Sequence, residues 1–87
     1  MRHVKVRKTE RGFHVYGSPV VCSYGCTADV RESSSGESPH CWVNVRNSKS
    51  MGMAPGEASL HLNRRQASEL IRRLQTWIDE IPKRWGQ

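Results

Sequence analysis

The sequence predicts an α+β fold: an antiparallel sheet of four to five strands with one C-terminal amphipathic helix packed on one face. Three observations carry it. Short stretches between Val4 and Leu62 alternate apolar and polar residues with the period of two that a strand requires. From Leu62 to Pro82 the period changes, and apolar residues recur at three- and four-residue steps. The connections are short, and the order β-β-β-β-β-α brings consecutive strands together before the helix arrives. Eighty-seven residues make one small domain. The expected layout is strands over about 3–62, a helix over about 63–81 and a short tail over 82–87.

Val4 and Val6 alternate with Lys5 and Arg7, a half-buried strand with a basic outer side. Arg11-Gly12 punctuates the chain, and Phe13-His14-Val15-Tyr16 alternates again, so these two stretches pair as an antiparallel hairpin around Thr9 to Gly12. Gly17-Ser18-Pro19 is a turn or strand break. Val20-Val21-Cys22 is apolar on consecutive residues, as in a strand buried on both sides or at the entry to a bulge. After Ser23-Tyr24-Gly25, the run from Cys26 to Glu32 turns Cys26, Ala28 and Val30 inward and Thr27, Asp29 and Arg31 outward. Ser33 to Pro39 is loop by composition. Cys41, Val43 and Val45 then face one way, with Trp42, Asn44 and Arg46 the other. Asn47 to Glu57 is the longest irregular run and is expected to be mobile. Ala58, Leu60 and Leu62 form a last strand that feeds the helix.

Within the helix Ala67, Leu70, Ile71, Leu74, Trp77, Ile78 and Ile81 form a stripe about 120° wide at 100° per residue. Arg65, Glu69, Arg72, Thr76, Asp79 and Glu80 oppose it. Asn63 is a good N-cap, Gln66 completes a capping box, and Leu62 with Ala67 stand at staple positions. Pro82 disfavours helical geometry at Ile81 and is expected to end the helix there.

The chain is 36% apolar and 25% charged, ordinary values for a globular domain. No apolar run approaches the roughly 18 residues of a membrane span, and no signal-peptide core follows Met1-Arg2-His3-Val4, so the expected location is cytoplasmic. A net charge of +6 is concentrated at the two ends: residues 1–11 hold five Lys/Arg against one Glu, and residues 63–87 hold six against three acids. Such asymmetry points to an acidic partner or to nucleic acid.

Three cysteines, Cys22, Cys26 and Cys41, are an odd number and exclude a complete disulfide framework. Together with His40 they supply four ligands of the kinds zinc accepts. Adjacent strand residues such as His40 and Cys41 point to opposite faces, however, and the second half lacks the usual ligand spacing. Buried thiols are the preferred reading, and no metal or other cofactor is expected.

Tyr24-Gly25, Val30-Arg31-Glu32-Ser33-Ser34, Trp42, His61-Leu62-Asn63 and Gln66-Ala67 occur in an order and spacing that resemble a group of small phage and prophage proteins. Those read as a YG turn, a V-x-E-S-S strand end, a tryptophan and an H-L-x-x-x-Q-A helix start. The likeness runs from about Phe13 to Ile81; Cys22, Cys26 and residues 83–87 lie outside it. It implies a mobile-element accessory protein acting inside a bacterial cell, and it transfers no catalytic residue.

Catalysis finds little support in the residues. His3, His14, His40 and His61 form no triad pattern, and a Cys-His pair lacks an orienting carboxylate and an oxyanion loop. A binding role is therefore expected. The favoured partner is a host protein with an acidic surface, inhibited or modulated as a counter-defence measure; the alternative is nucleic acid. Lys5, Arg7, His14, Tyr16, Trp42, Asn44, Arg46 and His61 are expected on one open sheet face, where aromatic and basic groups suit either partner. Arg64 and Arg65 stand in the first helical turn, where the helix dipole disfavours cations, with Arg72 two turns on. These three form a second candidate surface.

Overall fold

The structure, a computed structural model, describes residues 3–47 and 56–85. It opens with a hairpin of β1 (Val6–Lys8) and β2 (His14–Tyr16), paired antiparallel as Val6↔Tyr16, Arg7↔Val15 and Lys8↔His14. Thr9 closes the turn. Its N–H donates to the Phe13 carbonyl at 2.8 Å, and its hydroxyl accepts the Phe13 N–H at 3.2 Å. Gly12 takes a φ of 88°, a left-handed conformation that costs a side-chain-bearing residue energy. Gly17 is also left-handed at 76°, and a Cβ there would press on Val4 at 3.2 Å.

Beyond that turn β3 (Val20–Val21) leads through a single 3-10 turn, Ser23–Gly25, into β4 (Cys26–Glu32). The sheet continues with β5 (His40–Asn47) and β6 (Gly56–Asn63), all antiparallel, in the order β1-β2-β4-β5-β6 with β3 also on the edge of β4. The class is α+β, as expected, with six strands because Val20–Val21 pairs as a short extra strand. That pair is not buried on both sides: Val20 and Val21 are exposed, because β3 covers only one end of β4. The Asn47 to Glu57 run is shorter than its composition implies, since Asn47 belongs to β5 and Gly56 and Glu57 to β6. Residues 48–55, on which the expected mobility falls, lie outside the described residues.

Unbroken pairing from Cys26↔Asn47 to Glu32↔Cys41, and from His40↔Asn63 to Asn47↔Gly56, assigns every residue of the β4–β5–β6 meander to a face. One face carries Cys26, Ala28, Val30, Cys41, Val43, Val45, Ala58, Leu60 and Leu62. The other carries Thr27, Asp29, Arg31, His40, Trp42, Asn44, Arg46, Glu57, Ser59 and His61.

The helix α1 (Arg64–Trp85) departs from expectation in two ways. It runs past Pro82. A proline removes one backbone donor and disfavours helix in its interior, yet α1 continues to Trp85. It also does not cover the sheet. It contacts β6, the strand it grows from, while Ile71, Leu74, Trp77 and Ile78 stand 47–59% exposed.

The reason is the junction. β6 ends at Asn63 and α1 begins at Arg64, with no residue between them, whereas reversal onto the parent sheet ordinarily takes a loop of about 2–6 residues. The capping box fixes the exit direction. The Gln66 N–H donates to Asn63 Oδ1 at 2.8 Å, and the Asn63 N–H to Gln66 Oε1 at 2.9 Å.

A helix that meets the sheet chiefly at its parent strand leaves little interior. Among the described residues Val15, 4% exposed, is the buried apolar side chain. The radius of gyration is 15.3 Å, against about 12 Å for a compact domain of this length. The accessible surface is 7703 Å², against about 5200 Å² for a folded monomer of this mass.

Candidate functional site

The polar face of the meander is built in cross-strand rows. Register sets Arg31 beside Trp42 and Trp42 beside His61. The Trp42 and His61 rings stack with centroids 4.2 Å apart, and His40 stacks on His61 at 4.6 Å. Three rings thus form a continuous aromatic row across β5 and β6. Ser33 Oγ lies 2.7 Å from His61 Nε2 at the end of that row. The pair has the spacing of a nucleophile and a base, and among the described residues no carboxylate bonds the His61 imidazole.

The next rows down are polar and largely self-satisfied. Asn44 Nδ2 donates to Asp29 Oδ1 at 3.1 Å, and the Ser59 hydroxyl donates to Asn44 Oδ1 at 2.8 Å. Arg46 pairs with Glu57 at 2.8 Å, and Arg31 stands 3.5 Å from Asp29.

Beside the ring row lies an open cleft of about 560 Å³. Phe13, Val15 and Trp42 give it an apolar floor, while Arg11, Arg31 and Glu32 stand among its walls. Val15 reaches this face because it pairs directly with Arg31, and Arg7 follows through its pairing with Val15. An apolar, partly aromatic floor with guanidinium groups and carboxylates in its walls fits a flat ring or a hydrophobic side chain with polar groups nearby.

Of the residues expected on one open face, Arg7, Trp42, Asn44, Arg46 and His61 do share it, and Lys5 follows the alternation of Arg7. His14 and Tyr16 do not. The register Val6↔Tyr16 and Arg7↔Val15 puts apolar and charged residues of neighbouring strands in the same phase, so His14 and Tyr16 emerge on the opposite face with Val6. Tyr16 stands 6.3 Å from His14, centroid to centroid, and does not join the ring row. His14 is also remote from His61, because β4 and β5 separate their strands. Arg31 and His40 belong to the site and were missing from the expected set. Arg31 was legible as outward-facing, but its place beside Trp42 depends on a register set across a seven-residue loop.

At the edge of the apolar face, Glu32 Oε1 accepts the His14 backbone N–H at 2.9 Å and faces His14 Nδ1 at the same distance. These two contacts, the backbone one first, hold the Glu32 carboxyl below its ordinary range.

Arg65 and Arg72 lie opposite the apolar stripe of α1, and Arg64 stands at its flank, seven residues before Ile71. Arg65 and Arg73 both approach Glu69, at 3.8 and 3.5 Å. Arg64, Arg65 and Arg72 line a shallow hollow with Ser68 and Glu69.

The zinc alternative meets a geometric obstacle. Cys26 pairs with Asn47 at one end of the meander and Cys41 with Glu32 at the other, about 20 Å away along strands of about 3.4 Å per residue. His40 and Cys41 are separated in this way from Cys22 and Cys26. Among the described residues no group of three His, Cys, Asp or Glu gathers to hold a metal. A hydrogen bond between the free Cys26 and Cys22 side chains raises the Cys26 thiol above the ordinary range, with burial adding to the shift. Burial alone raises Cys41. Among the described residues no helix is long and apolar enough to cross a membrane.

Comparison with family models, curated proteins and solved structures found no match.

Proposed function

We propose that this protein acts by binding and not by catalysis, as a phage or prophage accessory factor that modulates or inhibits a host defence protein inside the bacterial cell. The observation that carries the binding reading is the aromatic row Trp42–His61–His40 with Arg31 alongside and a cleft at its flank. Tryptophan and arginine are among the groups that dominate protein interfaces. Their positive charge selects an acidic partner surface and speeds encounter with it. The phage setting rests on the resemblance in the sequence.

The same row favours one second reading. Stacked rings beside guanidinium groups form a platform on which single-stranded bases stack while phosphates pair with the arginines.

Capture from a bacterial lysate, with and without nuclease, separates the two. The protein reading expects a captured species that survives nuclease and is lost with Trp42→Ala, while the variant keeps its melting curve. The nucleic-acid reading expects capture abolished by nuclease. It also expects single-strand affinity to fall by about 0.7 log units per log unit of salt for each phosphate contacted. The double variant Arg65→Glu/Arg72→Glu decides between surfaces: loss of capture there, with Trp42→Ala unaffected, moves the interface to the helix edge. Capture unchanged in every variant overturns the assignment of both surfaces.

A further inference from the structure

We propose that this chain forms a closed two-fold dimer in which α1 of each copy lies across the apolar sheet face of the other. The chain carries both halves of one missing interface. Val30, Val43 and Leu60 stand in one row across the open side of the meander, with Ala28, Val45 and Ala58 in the next. None of them is buried, and Leu60 is 45% exposed. On α1, Ile71, Leu74, Trp77 and Ile78 form a matching stripe that stays about half exposed, with none of the described sheet residues lying over it. A sheet face and a helix stripe of this kind are stable when each buries the other.

The strand-to-helix junction keeps that burial from happening within one copy. With no residue between Asn63 and Arg64, and with the exit angle held by two capping hydrogen bonds, α1 leads away from its own sheet. A second copy supplies the covering layer, and a two-fold axis satisfies both copies at once because the contact is the same in each direction. The dimensions agree. A 22-residue helix is about 33 Å long, and the 7–8-residue strands of the meander run about 25 Å.

The surface area agrees as well. The protomer exposes about 2500 Å² more than a folded monomer of its mass, and covering part of that excess on each copy reaches the roughly 2000 Å² at which obligate homodimer interfaces begin. Much of the positive charge points away from the contact despite a net +6 per copy. Arg65 and Arg72 lie on the far side of α1, and Arg7, Arg31 and Arg46 on the far side of the sheet, while Arg64, seven residues before Ile71, and Lys8, paired with His14, stand at the margins of the contact. The proposal does not depend on the binding reading above, because the Trp42 face stays open in such a dimer.

Sedimentation equilibrium on the full chain should give twice the 9.9 kDa protomer mass. Trp42→Ala should leave that mass unchanged, and Leu74→Glu should halve it or abolish folding. Native Cys26 and Cys41 mark the two ends of the apolar face and supply a readout that does not depend on a variant's stability. In a mixture of isotopically heavy and light chains, Ile71→Cys, Leu74→Cys and Ile78→Cys should each be oxidised in turn. At least one should form a heavy-to-light disulfide with Cys26 or Cys41, while Arg72→Cys on the polar side forms none. A monomeric mass for the folded wild type overturns the proposal. So does a mass that climbs with concentration without a plateau, or a dimer whose stripe cysteines link only within one chain or not at all to Cys26 or Cys41.

Discussion

On one side of the meander Val30, Val43 and Leu60 stand shoulder to shoulder; on the other, the next residues along the same strands set Arg31, Trp42 and His61 in a row. The polar side closes its own accounts sideways, through stacked rings, the Asp29–Asn44–Ser59 chain and the Arg46–Glu57 pair. The apolar side has no such recourse. Aliphatic groups gain by leaving water, and a flat row of them leaves water only under a second layer. One face is thus finished and available to a partner, while its counterpart waits for a cover that α1 cannot supply within the same copy.

The sharpest way to break this contrast is to shorten the stripe. Leu74→Ala should destabilise the protein by about 2–5 kcal/mol if the stripe packs on a second copy, through lost burial and a cavity at the contact. Denaturant melts should then shift with protein concentration, because folding and association are linked. Arg72→Ala, on the polar side of the same helix, should stay within about 0.5 kcal/mol. A Leu74→Ala loss as small as that control would mean the stripe is solvated in solution, and the two faces would differ in composition without differing in need.

Most of the architecture was legible before the structure. The alternation of Cys26 to Glu32 and of Cys41 to Arg46 marked both strands and their inner residues, and the Asn63/Gln66 pair marked the helix start. Two things could not be read locally. The first is phase between strands: Val15 and Arg7 each obey alternation within their own strand, yet pairing sets them on one face. Short strands such as β1 and β2, three residues each, are too brief for pattern to dictate register. The second is where an amphipathic helix finds its partner surface. Periodicity shows that the stripe must be buried, and it is silent on which copy of the chain does it. Pro82 misled for a related reason, since its local cost is set against a whole turn of continuing helix. At the candidate site, Trp42, Arg46 and His61 were recognised from outward alternation. The ring row itself needed the β5–β6 register.

A smaller effect sharpens the contrast at the junction. Asn63→Ala removes the acceptor of the Gln66 N–H and should cost about 1 kcal/mol. Amide exchange at Gln66 should accelerate while exchange in the β4–β5 pairs is little changed. Equal acceleration throughout would mean the cap is not a local device, and that the exit of α1 is held by something other than these two hydrogen bonds.

The smallest expected effect lies where the apolar face gives way to polar groups. Glu32 follows Ala28 and Val30 on that face, beside Cys41, and its carboxylate is turned to the His14 backbone N–H and ring. Both contacts favour the ionised form, so the folded carboxyl titrates below its ordinary value of 4.5. A group whose pKa is depressed on folding contributes stability that is complete above the unfolded value. That contribution fades as pH falls through the folded one. Glu32→Gln keeps an oxygen that can accept the His14 N–H and loses the charge, which isolates the titrating part. The variant should therefore melt slightly below wild type at neutral pH by a margin that stays level down to about pH 4.5. The margin should narrow below that value and close once the wild-type carboxyl is protonated. Melting curves of both proteins across this range provide the measurement. A margin that persists unchanged at the acid end would assign the effect to shape alone. The edge of the apolar face would then be set by packing, with no contribution from a charged contact.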